Sequence, residues 1–159
     1  MSGDVLARID EALIRLRRLW TGHETPAALA RDSGGGLEMS TVLVADAIDR
    51  ERGTGTEVTV ADVAGRLDVA HSTASRLIDR AEAAGVVTRS RSSVDQRRVT
   101  LHLTADGDLL VARSFEFRTQ YLTSLVADWS DADVECFARL LDRFATDARR
   151  IPPPEGDHS

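Results

Sequence analysis

Two short stretches of the sequence combine small hydroxyl side chains with arginines, and both kinds of side chain can bind a nucleic acid. The first stretch, HSTASRLIDR, runs from His71 to Arg80, and the second, RSRSSVDQRR, runs from Arg89 to Arg98. Serine and threonine are small enough to approach the edges of bases, and a guanidinium can donate two hydrogen bonds to guanine or contact a phosphate. These residue types therefore favour an interaction with a DNA duplex.

The overall charge of the chain is unfavourable for DNA, because 20 basic residues, all of them arginine, stand against 26 acidic ones and leave a net charge of −6. The basic side chains are concentrated, however, since residues 71–98 contain six arginines and only three carboxylates. This segment carries +3 and the rest of the chain carries −9. Exposed charges more than about 8 Å apart are largely screened at physiological salt. The acidic balance therefore does not exclude DNA binding.

Two short helices are predicted to position the first stretch. Thr59 and Asp62 are typical of a helix start, where the hydroxyl accepts from a free backbone N–H and the carboxylate lies favourably in the first turn. The chain should turn at Asp68, which tolerates a left-handed backbone better than a branched residue. Ser72 is expected to cap a second helix that ends at Gly85. Its inward face would consist of Ala74, Leu77, Ile78 and Ala81. Its outward positions are Ser72, Thr73, Ser75, Arg76, Asp79 and Arg80.

A β-hairpin is predicted after Gly85, because the β-rich runs Val86–Thr88 and Val99–Leu103 flank a polar tip at residues 89–98. A helix, a tight turn, a second helix and a hairpin form a winged helix-turn-helix. In this arrangement the second helix can enter the major groove of DNA and the hairpin can reach an adjacent groove. The hairpin arginines would extend the contact surface, and they include Arg91, Arg97 and Arg98.

Amphipathic helices are predicted at both ends of the chain, over Val5–Trp20 and after a cap at Ser130. Their apolar rows are Leu6, Ile9, Leu13 and Leu16 in the first helix and Val134, Phe137, Leu141 and Phe144 in the last. Such rows more often pack within one chain, but two of them at opposite ends of so short a chain also fit an interface. Further helices are expected over 38–51 and from Thr104 to about Ala127. The inward residues of the first of these would be Val42, Leu43, Ala47 and Ile48.

The segment from Val58 to Gly107 resembles the MarR family of bacterial transcriptional regulators. The resemblance is carried by the run STASRLIDRAEAAGVV, by Asp95-Gln96-Arg97 and by the step Leu103-Thr104-x-x-Gly107. It implies a mainly α fold with a small β-hairpin wing, made of a winged helix-turn-helix lobe and a helical dimerisation lobe. It further implies a single MarR-like domain over 1–159. Within it, 37–104 would be the DNA-binding lobe, 4–36 and 105–150 the dimerisation helices, and 151–159 a disordered tail.

The resemblance also implies roles for individual residues. Ser72, Thr73, Ser75 and Arg76 would lie at the major groove, Arg97 would enter the minor groove, and Asp95 would fix that arginine in place. The rows of the terminal helices would form a homodimer interface, and the dimer would bind pseudo-palindromic double-stranded DNA as a repressor, with a small-molecule effector as a further partner. His71 stands where Pro, Lys or Ser is common, and Asp68 replaces a usual turn glycine.

Other classes of protein are weakly supported. We find no phosphate-binding glycine loop, no nucleophile and base in a catalytic setting, and no metal-ligand spacing, so we expect no enzyme, no cofactor and no metal. The single Cys136 excludes an internal disulfide, and we expect it to be buried or unreactive. With no apolar run long enough for a membrane span, a cytoplasmic protein is expected.

Two alternatives to DNA contact remain open. The hairpin tip could be a solvated turn, and Arg76 and Arg80 could form surface ion pairs with Asp79 or Glu82 worth about 0.2–1 kcal/mol each. A winged helix can also serve as a protein–protein interaction module, which would favour an apolar outward face on the second helix.

Overall fold

Six helices and one two-stranded antiparallel sheet make up the residues that the structure describes, 3–21 and 39–151, in this computed structural model. The predicted fold class, mainly α with a hairpin wing, is confirmed. The predictions for residues 22–36 and 152–159 lie outside the described residues. The elements are α1 (Gly3–Thr21), α2 (Met39–Arg52), α3 (Val60–Leu67), α4 (His71–Ala83), β1 (Val87–Arg91), β2 (Val99–Leu103), α5 (Ala105–Leu125) and α6 (Asp131–Arg150).

The described residues form two compact units, divided between Phe117 and Arg118. In the first unit, α2, α3, α4 and the sheet enclose an apolar core that includes Ile48, Val63, Ile78 and Leu101. The prediction for Leu43 is wrong, because this side chain is 44% exposed. The other three residues predicted to face inward, Val42, Ala47 and Ile48, are buried.

The predicted helix ends are largely confirmed. Thr59 caps α3 by accepting from the Asp62 N–H, and the Asp62 carboxylate accepts in return from the Thr59 N–H. Asp68 ends α3 with a left-handed φ of 53°, and Gly85 follows α4 with a φ of 73°. The prediction that Ser72 caps α4 is wrong, since the helix begins two residues earlier than such a cap requires and its N-cap, Ala70, has no side chain that could form the bond. Ser72 therefore lies in the first turn of α4.

The hairpin has a shorter tip than its sequence indicates. β1 continues through Arg91, which pairs with Val99, so only residues 92–98 form the turn. Val58 pairs with Leu101 on β2 as an isolated bridge, and its carbonyl accepts from the Leu101 N–H at 2.8 Å. We call residues 87–103 the wing and residues 92–98 the wing tip.

Thr104 and Gly107 join the wing to α5. The Thr104 hydroxyl donates to the Gly85 carbonyl at 2.6 Å and accepts from the Gly107 N–H at 3.1 Å. A Cβ at position 107 would lie 2.2 Å from the Val86 carbonyl oxygen and 3.2 Å from the side chain of Leu103. Glycine is therefore required here for a close approach of backbone to backbone.

We predict that Gly107→Ala lowers the free energy of unfolding by at least about 1–3 kcal/mol, which is the usual cost of overpacking. The Val86 carbonyl oxygen that the new Cβ would meet belongs to the backbone, so it cannot rotate away as a side chain could. Urea unfolding followed by circular dichroism measures the change. Gly65→Ala is the matched control, since a Cβ there meets nothing within 4 Å and alanine favours a helix. Equal stability of the Gly107 variant and the natural protein would contradict the prediction.

The terminal helices have apolar rows that the chain itself leaves exposed. α6 begins at a cap in which the Ser130 hydroxyl accepts from the Asp133 N–H at 3.2 Å, as predicted, and it contains no buried residue. Within residues 3–21 and 39–151, no helix combines the length and the apolar character needed to cross a bilayer. The half-exposed apolar residues of these helices are Val5, Leu6, Ile9, Leu13, Ile14 and Leu16 in α1 and Phe137, Leu140, Leu141 and Phe144 in α6.

Candidate nucleic-acid interface

The α4 helix has one apolar and one polar face. Ala74, Ile78 and Ala81 are buried and Leu77 is half-buried against the core, so the inward face is as predicted. The opposite positions carry the small hydroxyls near the start of the helix and the arginines further along. Of these, Ser72, Arg76 and Arg80 are exposed, and Thr73 and Ser75 are half-buried.

Arg76 is available to bind a partner. It forms no ion pair or side-chain hydrogen bond within residues 3–21 and 39–151. The carboxylates of Asp79 and Glu82, which could have paired with it, bind Arg89 instead. An exposed guanidinium on a helix face with small neighbours can contact a base edge or a phosphate.

Arg89 joins the wing to α4. Its guanidinium donates to Asp79 at 2.6 Å and also to Glu82. Burial by itself would lower the pKa of Arg89, but the hydrogen bonds and charges of the two carboxylates raise it above its usual value. Sequence reasoning counted Arg89 only as part of a local positive charge. The structure shows it as an internal ion-pair partner of Asp79 and Glu82, a contact that depends on the register of the hairpin and has no local signal in the sequence.

The wing tip is fixed by a residue from outside the hairpin, Glu57. One of its carboxylate oxygens accepts from the Ser93 N–H at 2.9 Å and from the Ser93 hydroxyl at 2.8 Å, and the other accepts from the hydroxyl of Ser92. These hydrogen bonds, first from Ser92 and then from Ser93, lower the pKa of Glu57, and the charge of Arg98 adds to the effect. Sequence reasoning missed Glu57, because nothing local relates it to residues 35 positions away.

Asp95 organises the turn that carries the wing arginines. Its carboxylate accepts from the backbone N–H of Arg97 at 3.0 Å, and its carbonyl accepts from the N–H of Arg98 at 2.9 Å. The resemblance implied that Asp95 would fix Arg97, and the contact observed here is to the backbone of that residue. The side chains of Arg91 and Arg97 are exposed and form no ion pair within the described part of the chain.

Two further polar side chains lie outside the polar face of α4 and the wing tip. On the sheet, the His102 imidazole Nε2 lies 2.8 Å from the Ser90 hydroxyl and 3.1 Å from that of Thr100, which joins the two strands. In α6, Cys136 is exposed and Arg139 Nη2 lies 3.6 Å from its sulfur. Of the two expectations for this residue, burial is wrong, and the lack of reactivity stays a prediction. Among residues 3–21 and 39–151, no group of three or more His, Cys, Asp or Glu side chains could bind a metal ion.

Comparison with known proteins relates the winged-helix region to one family. The family model described as the MarR family matches residues 36–98. A curated relative, the uncharacterized HTH-type transcriptional regulator YsmB of Bacillus subtilis (strain 168), is 26% identical over 94 residues. That match spans 59% of this chain and 64% of the relative.

Solved structures of low sequence identity share the fold. FabT of Streptococcus pneumoniae in complex with DNA has a TM-score of 0.77 at 22% identity, covering 92% of this chain and 99% of that one. A MarR family protein from Bacillus stearothermophilus gives 0.72 at 21%, covering 92% and 97%. The S. aureus MepR–DNA complex gives 0.67 at 18%, covering 85% and 93%.

Proposed function

We propose that the protein is a sequence-specific, DNA-binding transcriptional regulator that acts as a homodimer, because residues 36–98 match the model of the MarR family. The α4 helix enters the major groove, and the wing contacts an adjacent groove. Two structures that share the fold, those of FabT and MepR, were solved in complex with DNA. Repression is the mode of regulation we propose.

The observation that carries this proposal is the difference between paired and unpaired arginines. Asp79 and Glu82, the acids on α4 nearest the wing, are neutralised by Arg89, whereas Arg76 and the wing residues Arg91 and Arg97 have no ion pair within the described residues. Unpaired guanidinium groups on α4 and on the wing would add to each other in attracting a polyanion. An apolar outward face, which a protein-interaction module would favour, is absent from α4 as the structure describes it.

The homodimer is supported by the apolar rows of α1 and α6. A half-exposed row of large apolar side chains along a helix is typical of an interface, and symmetric dimers are the commonest assembly. In a two-fold dimer the two α4 helices would lie about 34–36 Å apart and meet successive major grooves of a pseudo-palindromic site. A small-molecule effector that binds better to another arrangement of the dimer would lower the affinity for DNA.

We predict that Arg76→Ala weakens binding to the specific site by about 1–3 kcal/mol, which is about five- to 150-fold, because it removes a contact to a base or phosphate. Arg97→Ala should weaken binding as well. Fluorescence anisotropy with DNA that flanks the gene, in the presence of excess nonspecific competitor, measures the change. Log affinity of the natural protein should also fall with log salt by about 0.9 per phosphate contact.

Arg113→Ala is the control for this experiment. Arg113 is an exposed arginine on α5, away from α4 and the wing in sequence, and it has no ion pair within the described residues. Its loss removes the same charge and should change the affinity less than twofold. Affinities within twofold of the natural protein for both Arg76→Ala and Arg97→Ala, with the fold intact, would refute the assigned contacts. Failure of the natural protein to bind any DNA in a genomic selection would favour a protein-interaction module.

A further inference from the structure

Glu57 lies on a fixed part of the backbone beside the wing. The next residue, Val58, is 3% exposed and pairs with Leu101 of β2. Thr59, the residue after Val58, is the N-cap of α3. The backbone that carries Glu57 is therefore attached both to the core sheet and to the helix-turn-helix.

The Glu57 carboxylate accepts hydrogen bonds from Ser92 and Ser93, the first two residues of the wing tip. Ser92 is 2% exposed, and its hydroxyl donates to Glu57 while it accepts from the N–H groups of Val94 and Asp95 at 3.0 and 2.9 Å. Ser93 adds a backbone and a hydroxyl hydrogen bond to the same carboxylate. With Glu57 removed, the buried Ser92 hydroxyl loses its acceptor, and no hydrogen bond would then link the wing tip to the segment before α3.

The same network extends to the wing arginines. Asp95, whose N–H is bound by Ser92, accepts in turn from the backbone N–H of Arg97 and of Arg98. The Ser92 N–H donates to the Arg98 carbonyl at 2.9 Å, which closes the turn. Together with the hydrogen bond from Ser92 to Glu57, these four hydrogen bonds connect Glu57 with the backbone from which the two arginine side chains extend.

We propose that Glu57 is a positioning residue for DNA binding, which rests on the function proposed above: through Ser92 and Ser93 it sets the conformation of the wing tip and so places Arg97 and Arg98 against the duplex. The direction in which the DNA affinity changes when Glu57 is removed distinguishes this role from a purely electrostatic effect of its charge. Removing an acid close to a polyanion should strengthen binding. A positioning role requires the opposite, that the loss of this acid weakens binding.

The test compares the full chain with Glu57→Ala. We expect the amide hydrogens of Ser93, Val94 and Asp95 to exchange at least tenfold faster in the free variant, and its affinity for the specific DNA site to fall at least fivefold. In a chain that already carries Arg97→Ala and Arg98→Ala, Glu57→Ala should change the affinity less than twofold. A role in general stability would not depend on those two arginines, so this comparison isolates positioning.

An affinity of Glu57→Ala equal to or higher than that of the natural protein overturns the proposal. So does an unchanged exchange rate of the three amides, or an equal loss of affinity when both arginines are absent. If the alanine variant does not fold, Glu57→Leu replaces it under the same criteria, because leucine removes both acceptor oxygens and the charge but keeps a side chain of similar size. If the natural protein binds no DNA, the proposed function fails together with this role, and faster amide exchange would then report only a structural contact.

Discussion

A glutamate in place of Leu141 is expected to convert the proposed dimer to a monomer and to weaken binding to a two-half-site DNA by at least a hundredfold. Leu141 lies in the exposed apolar row of α6, so a carboxylate there would have to be desolvated, without a matched partner, in the dimer. In the monomer the same carboxylate remains hydrated and costs little. Joining two DNA-binding lobes commonly adds about 10²- to 10⁴-fold to affinity, and this contribution is what the substitution removes.

Sedimentation velocity at micromolar concentration measures the oligomeric state, and anisotropy with whole and half sites measures the loss of affinity. Arg143→Glu is the matched control, because it introduces the same side chain two residues further along α6, about 200° around the helix from Leu141, where Arg143 is largely exposed. We expect that variant to stay dimeric. A Leu141→Glu protein that still sediments as a dimer would show that the α6 row is not the interface.

Local side-chain chemistry was sufficient to predict most helix ends. Thr59 and Ser130 each accept from the third residue of a helix, and Asp68 adopts the left-handed backbone expected of it. Each interaction joins groups at most a few residues apart, so the sequence contains both partners side by side. The prediction failed at Ser72, because the N-cap is Ala70, which has no side-chain hydrogen bond, and α4 starts two residues early. A cap is favourable but not required, and the packing of α4 against the core decides where that helix begins.

The contacts that position the candidate site could not be predicted in this way. Glu57 binds residues 35 and 36 positions away, and Arg89 binds Asp79 and Glu82 across the turn at Gly85. Sequence spacing identified the residue types that suit DNA, but not which arginines are neutralised within the chain. The distinction arises from the register of the hairpin, which extends β1 to Arg91 and brings Arg89 close to α4.

Replacing Arg89 by alanine is expected to weaken DNA binding more than tenfold while leaving the fold intact. The two ion pairs are partly exposed, and such pairs contribute only about 0.2–1 kcal/mol each to stability. Their effect on DNA binding should be larger, because the variant leaves the carboxylates of Asp79 and Glu82 uncompensated on the helix proposed to enter the major groove. Like charges brought together at an interface cost several kcal/mol. The substitution also removes the link between the wing and α4.

A triple variant tests the cause. If repulsion dominates, Asp79→Asn and Glu82→Gln in the Arg89→Ala background should restore most of the lost affinity, since no uncompensated acid would then face the phosphates. Arg52→Ala is the matched control, because Arg52 binds two carboxylates in the same geometry, Asp49 at 2.6 Å and Asp108 at 2.7 Å, outside α4 and the wing. We expect its affinity to stay within twofold of the natural protein. Fluorescence anisotropy at several salt concentrations distinguishes the two causes, because an affinity loss caused by repulsion becomes smaller as salt rises. An affinity loss that persists at high salt in the triple variant would contradict repulsion as the cause.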